Sequence, residues 1–234
     1  MQPYFFPYLG YFQLVHAVDE FVFLDDVTFI KRGYINRNSL LLNGQVHRFT
    51  IPVQNISQFR PISGHYYLDS NNRFLDLLYH GYHRAPYFQV IFELVSNVLS
   101  CTDCSVAAVN AKSVMATCRY LHAERSFHFS SLLDPKSARK GDDRLIHLCA
   151  HREASTYINA AGGRALYDAR RFEANGVSLG FIESRFPAYR QKANGFVPGL
   201  SIIDALMWNS PEQVVEMLRH YSVEYPASDP EQRT

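Results

Sequence analysis

The chain has 234 residues, 47% of them hydrophobic and 19% charged, with a formal net charge of +1. This composition supports one domain with a buried core, excludes disorder as the default state, and leaves no electrostatic footprint for nucleic acid. No run of about 18 apolar residues occurs, and no basic region followed by an apolar one opens the chain. Neither a membrane span nor a secretory signal is therefore expected, and the cytoplasm is the expected compartment.

In chain order, residues 10–19 place Phe12, Leu14, Val15 and Val18 at the spacing of a short helix. The run EFVFLDDVTFI, 20–30, opens as a buried strand expected to end at Asp25–Asp26. Residues 46–53 alternate and predict another strand. Ser70 is suited to cap a helix reaching about Tyr82, with Phe74, Leu77 and Leu78 on one face. Pro86 predicts the start of a second helix to about Leu99. Residues 105–122 predict a third, and Ser126–Phe129 a short strand. Gly141-Asp142-Asp143 opens a helix with a favourable acidic first turn. A strand at Thr156–Asn159, a helix at 163–170 and a strand at 177–184 follow. Ser201 and Ser210 are candidate caps for helices at 202–208 and 211–220. Residues 226–234 are polar and are expected to be a disordered tail beyond a single domain of residues 1–225. Strands alternating with helices predict an α/β fold with a central, mostly parallel sheet flanked by helices.

The opening MQPYFFPYLGYFQLV carries Pro3, Pro7, Gly10 and four aromatic rings within its first ten residues. Proline fixes the backbone and glycine permits close approach, so this segment suits a rigid pocket wall leading into a helix N-terminus. A packed N-terminal arm fits the composition equally well. QPYFFPYLGYFQL, then FLDDV and IKRGYINRN, resemble the WbqC-like family. TIPV, HRAPYF, RLIHLCAH, YINAAGG with ALY, and Tyr189-Arg190-Gln191 leading to FVPGLSIIDAL fit the same family. The resemblance spans residues 2–209. It implies association with bacterial O-antigen and other surface-polysaccharide loci, and so the tailoring of sugars. Two departures stand out. Relatives carry a short apolar stretch, a first strand, before the motif on which this chain begins, so the sheet is expected to lack that strand. His151-Arg152-Glu153-Ala154 stands where relatives have Leu-Gly-Ala. With that strand restored, the beginning has the layout of a nucleotide-binding α/β unit, but Pro7-Tyr8-Leu9-Gly10-Tyr11 replaces the His-x-Gly-His turn of nucleotidyltransferases.

Asp25 and Asp26 are candidate catalytic groups, because ligands of open α/β sheets bind at the carboxyl ends of strands. Adjacent residues on a strand point to opposite sides, so one of the two is expected to face a pocket as base, metal ligand or hydroxyl binder. A solvated strand end is the plain alternative. Lys31, Arg32, Asn36, Arg37 and Asn38 cluster within eight residues, pairing phosphate-binding cations with amides suited to sugar hydroxyls. The motif adds Gln2, Tyr4, Gly10 and Tyr11 as substrate-binding candidates, and the C-terminal segment adds Tyr189 and Gln191, near Ser201 and Asp204. Cys149 is a third catalytic candidate. His147 and His151 sit two positions away and share no helix face with it, so a partner would come from His65 or His128. A buried structural cysteine is the alternative. Cys101 and Cys104 form a C-x-x-C to which Cys118 and His122 add metal-ligating types, but no second tight pair follows. No P-loop or dinucleotide fingerprint names a cofactor. Three functions compete: an enzyme transferring an acyl or aminoacyl group to a nucleotide-linked amino sugar, a cysteine-dependent hydrolase or transferase, and a non-catalytic binding or assembly protein. The expected partner is a small molecule, a nucleotide-sugar.

Overall fold

The computed structural model describes residues 1–68, 71–100, 103–135 and 137–226. The proposed Ser70 cap, the Cys101 half of the C-x-x-C, Lys136 and tail residues 227–234 lie outside the described residues. The chain is α/β, built of nine α-helices and seven strands among the described residues. No helix there is long and apolar enough to cross a membrane.

Helix α1 (Leu9–His16) is buried almost all round, because Phe12, Leu14 and Val15 face the core and Gln13 is absorbed by backbone carbonyls. It leads into β1 (Glu20–Phe23), whose Phe21 and Phe23 turn inward. The strand stops at Phe23, short of the aspartates, because the Asp25 N–H turns back to the Phe23 carbonyl and its carboxylate is drawn elsewhere. Next comes a hairpin, β2 (Arg37–Leu42) and β3 (Gln45–Thr50), antiparallel through Leu42↔Gln45. Its first strand was not expected. Asn43 and Gly44 both take positive φ (50° and 77°), the geometry that two-residue hairpin turns need. Three helices follow, α2 (Asn71–Tyr82), α3 (Phe88–Leu99) and α4 (Val106–Tyr120). Helix α3 begins two residues after Pro86, since Ala85 and Tyr87 form a turn first.

Strand β4 (Ser126–Phe129) pairs parallel with β1, Phe21 opposite Phe127. Two helices, α5 (Ser130–Leu133) and α6 (Gly141–His151), lead to β5 (Thr156–Ala160). The helix expected at 163–170 is instead a 3-10 turn (Ala161–Leu166) and a separate α7 (Ala169–Glu173). Asp168 divides them by capping α7 at the Arg170 N–H. Strand β6 (Ser178–Ser184) lies parallel to β5, and β7 (Tyr221–Glu224), after α8 (Ile202–Trp208) and α9 (Pro211–Leu218), adds antiparallel to β6. Ser201 caps α8 at the Ile203 N–H, and Ser210 with Gln213 forms a reciprocal capping box on α9.

The parallel pairs supply the α/β character, but hydrogen bonds join the strands into three small sheets, β1–β4, β2–β3 and β5–β6–β7, rather than one. The core is divided likewise. A large cluster centres on Phe5, Phe6, Phe12 and Phe23, and a smaller one on Leu145, Cys149, Phe172 and Phe181. Helix α6 spans the division. Its end places Arg152 on Glu20, at the start of β1, and its first turns place Arg144 on Asp26, beyond the end of β1. It therefore runs antiparallel to β1 and leads into β5.

Candidate functional site

The opening segment lies beside β1. The Met1 ammonium donates to the Val22 carbonyl (2.7 Å), and the Leu24 N–H donates to the Met1 carbonyl (2.8 Å). This is the hydrogen-bond pattern of parallel strands. Gln2, Pro3 and Tyr4 therefore leave at the same edge as Asp25–Asp26 after β1 and Ser130–Ser131 after β4. Strand β6 exits there too, since a Cβ on Gly10 would lie 3.0 Å from Ser184 Oγ and 3.2 Å from a Phe186 ring carbon. The C-terminal edge of parallel strands is where open α/β proteins bind ligands.

Three tyrosines line this edge. The Tyr34 ring lies 5.9 Å from Tyr4 and 5.6 Å from Tyr8, and Tyr4 lies 5.5 Å from Tyr11. Tyr34 is 47% exposed, while Tyr4 and Tyr8 are half-buried. Burial pushes the Tyr4 hydroxyl up to about 12, with neighbouring tyrosines adding to the effect, and raises Tyr8 as well. Both remain neutral phenols, able to donate hydrogen bonds at neutral pH. Tyr34 also carries the 30–33 turn against the opening segment, bringing exposed Lys31 and Arg32 to its margin. Arg37, half-buried, holds that turn through Nε to the Gly33 carbonyl (3.3 Å).

The two aspartates part ways. Asp25 is buried, and its carboxylate accepts from the Ser131 N–H (3.0 Å) and Ser131 Oγ (2.6 Å), with Ser130 Oγ 3.2 Å away. It clamps the start of α5, and its burial keeps a ligand from it. Asp26 accepts from Ser130 Oγ (2.6 Å) and pairs with the Arg144 guanidinium, with 20% of its side chain exposed. A hydroxyl has one hydrogen, so the Ser130 O–H serves Asp26, its nearer acceptor. Asp26 is thus the carboxylate a ligand can reach.

Several expected binding groups are instead occupied in the framework. Asn36 and Asn38 are buried, and their amides donate to the Ile51 and Phe6 carbonyls, each at 2.8 Å. Tyr11 is buried with its hydroxyl on the Gln2 carbonyl (2.9 Å), and Gly10 is packed inside α1. Tyr189 and Gln191 both donate to Asp204 Oδ2 at 3.1 Å, while Tyr82 donates to Oδ1 at 2.8 Å. Burial raises the Asp204 carboxyl, and those three hydrogen bonds oppose the rise. Cys149 sits in the smaller apolar cluster, where burial pushes its thiol up to about 11. That keeps it protonated and unreactive at neutral pH. Neither proposed histidine is placed to activate it. His65 spends both ring nitrogens on the Pro61 carbonyl and the Ser57 N–H, and His128 faces Glu20 at 3.3 Å. Among the described residues no group of three or more His, Cys, Asp or Glu is placed to hold a metal ion.

Sequence reasoning named Gln2, Tyr4, Asp26, Lys31, Arg32 and Arg37 at this edge, and missed Tyr8, Tyr34, Ser130 and Arg144. The tyrosines lie inside the quoted motifs, and Ser130 directly follows a strand parallel to β1. Both were available signals. Nothing local marks Arg144, which meets a carboxylate 118 positions away.

The fold and this edge define an α/β protein with an aromatic and carboxylate-bearing surface at the carboxyl ends of its parallel strands. Residues 2–216 match the WbqC-like protein family, and the chain belongs to it. It is also 27% identical over 228 residues to the uncharacterized protein Rv1507c of Mycobacterium tuberculosis, covering 94% of this chain and 96% of that one. No solved structure gives a significant match.

Proposed function

We propose that this protein tailors a cytoplasmic sugar precursor of bacterial surface-polysaccharide (O-antigen) synthesis, transferring an acyl or aminoacyl group to a nucleotide-linked amino sugar. The observation that carries the reading is the packing of Tyr4, Tyr8 and Tyr34 against one another where the opening segment leaves β1, the strand beyond whose end Asp26 stays partly open, with exposed Lys31 and Arg32 in the turn that precedes Tyr34. Tyrosine faces suit the flat and apolar sides of a base or sugar ring. Arginine and lysine suit the diphosphate. Asp26 is the acceptor for a sugar hydroxyl or for the proton leaving the attacking amine. The cysteine-dependent reading loses ground to the protonated, apolar setting of Cys149.

Thermal-shift measurement against nucleotide-sugars tests the proposal. A ligand at a hundred times its Kd stabilises the fold by about 2.7 kcal/mol, a melting shift of roughly 5–10 °C for a chain of this size. The shift is expected to vanish in Arg32→Ala and Tyr34→Ala. No shift with any nucleotide-sugar in the folded protein overturns the reading, and binding without turnover of acyl donors leaves a binding protein.

A further inference from the structure

Positive charge and exposed apolar surface are concentrated in one stretch of this chain. Residues 27–68 hold five of the 23 lysines and arginines and none of the 22 acidic residues, so the stretch carries +5 and the remainder −4. Among the described residues, six of the twelve large hydrophobic side chains left exposed fall in the same stretch, and Phe59, at 95%, is the most exposed of them. A scattered apolar side chain on a surface is ordinary, but one that coincides with a patch of single-sign charge marks a place of contact.

The backbone builds a tip from these residues. Thr28 pairs antiparallel with Pro61, the Ile62 N–H donates to the Val27 carbonyl (2.9 Å), and the Phe29 N–H donates to the Arg60 carbonyl (3.1 Å). The next pair in that register is Ile30 with Phe59. Side chains alternate across such a ribbon, so Phe29 and Ile62 are buried while Ile30 and Phe59 turn outward together. Lys31 and Arg32 follow in the turn and are exposed. Loop 55–65 is tied from within. The Arg60 guanidinium donates to the Asn55 and Gly64 carbonyls, and the buried His65 ring bonds the Pro61 carbonyl (2.8 Å) and the Ser57 N–H (3.1 Å). The Phe59 ring is therefore held out in water by a braced loop, with its ordering cost already met.

We propose that this tip docks on an anionic lipid surface: the Phe59 and Ile30 side chains enter the boundary between headgroups and acyl chains, and Lys31, Arg32 and Arg60 pair with lipid phosphates. Two apolar side chains flanked by cations match that boundary, where hydrocarbon and phosphate lie side by side. A stable protein partner needs a patch of roughly 800 Å² on each side, which two side chains do not make. A nucleic-acid strand stacks its bases on flat aromatic platforms, and Ile30 beside Phe59 offers an aliphatic edge instead. The remainder of the chain, at −4, is repelled by the surface that attracts this stretch, so charge also sets the direction of approach. The inference stands apart from the nucleotide-sugar reading, in which Phe59, Ile30 and Arg60 take no part.

Flotation of the full chain with lipid vesicles tests this. Vesicles of phosphatidylethanolamine with about one-third phosphatidylglycerol are expected to bind it on the order of a hundredfold more tightly than phosphatidylcholine vesicles, at roughly fivefold for each of the three cations. Raising the salt to about 1 M, where the screening length is about 3 Å, is expected to remove most of that preference. Phe59→Ser is expected to weaken binding at least about tenfold with an unchanged melting temperature, because the ring faces water and not the core. Leu166→Ser, which removes a side chain 70% exposed outside the stretch, is expected to change nothing. Phe59→Trp is expected to add a fluorescence signal that moves to the blue on anionic vesicles. A folded parent that ignores anionic vesicles at low salt overturns the proposal, as does binding that Phe59→Ser leaves intact or a Phe59→Trp emission that stays in place. Binding to RNA or to an acidic protein without binding to vesicles overturns it as well.

Discussion

Arg144→Met removes the cation paired with Asp26 while keeping most of the side-chain volume. Both partners are largely enclosed, with 12% of the Arg144 side chain and 20% of the Asp26 side chain exposed. Breaking a buried pair costs about 3–5 kcal/mol, because the surviving charge stays out of water. The partial exposure of Asp26 and its remaining bond to Ser130 put Arg144→Met near the lower end, about 3 kcal/mol. Asp26→Asn is expected to cost at least as much, since Arg144 Nε already lacks a hydrogen-bond partner and the whole guanidinium would then be stranded. The double variant removes both charges and should return to within about 1 kcal/mol of the parent, so the two single costs of about 3 kcal/mol fail to add by about 5 kcal/mol. Urea unfolding followed by circular dichroism measures all four proteins, and each single change should lower the melting temperature by roughly 6–12 °C. Single changes that cost under about 1 kcal/mol each and simply add would refute the reasoning, placing the pair in effect on the surface.

Asn110 donates to the Pro3 (3.0 Å) and Ile35 (2.7 Å) carbonyls and accepts from Tyr67 Oη (2.7 Å), tying the opening motif to α4. Asn110→Leu strands these groups and should cost about 3 kcal/mol by denaturant unfolding. In the folded protein, iodoacetamide at neutral pH should modify exposed Cys104 well before buried Cys149, read by peptide mass mapping; rapid labelling of Cys149 would revive the cysteine enzyme. Asp204 has a carboxyl raised by burial, so its contribution to stability is fully present below the unfolded value of 3.8 and is lost as pH rises through its folded value. The stability of the parent relative to Asp204→Asn should therefore fall as pH rises from about 4 toward neutrality, and an opposite slope in paired melting curves would show that the hydrogen bonds from Tyr82, Tyr189 and Gln191 outweigh desolvation.

Local pattern determined much of this protein. Ser126–Phe129 emerges as β4, the acidic turn at Asp142–Asp143 opens α6, and Ser210 caps α9. These features depend on neighbours within a few positions. The β2–β3 hairpin is equally legible, in the Asn43-Gly44 pair after three leucines. What a polar side chain is free to do was decided only by the tertiary structure. Asp25 and Asp26 are adjacent in sequence, yet Ser131, more than a hundred positions on, holds the first in the interior, while the second stays partly open beside Ser130. Asn36 and Asn38 are consumed by the Ile51 and Phe6 carbonyls in the same way. The single sheet expected from alternating strands is instead three small ones, β1–β4, β2–β3 and β5–β6–β7, because pairing partners are chosen by the packing of the helices between them. A residue's type sets which bonds it can form; which of them remain available to a ligand depends on partners that only the folded chain brings within hydrogen-bonding distance.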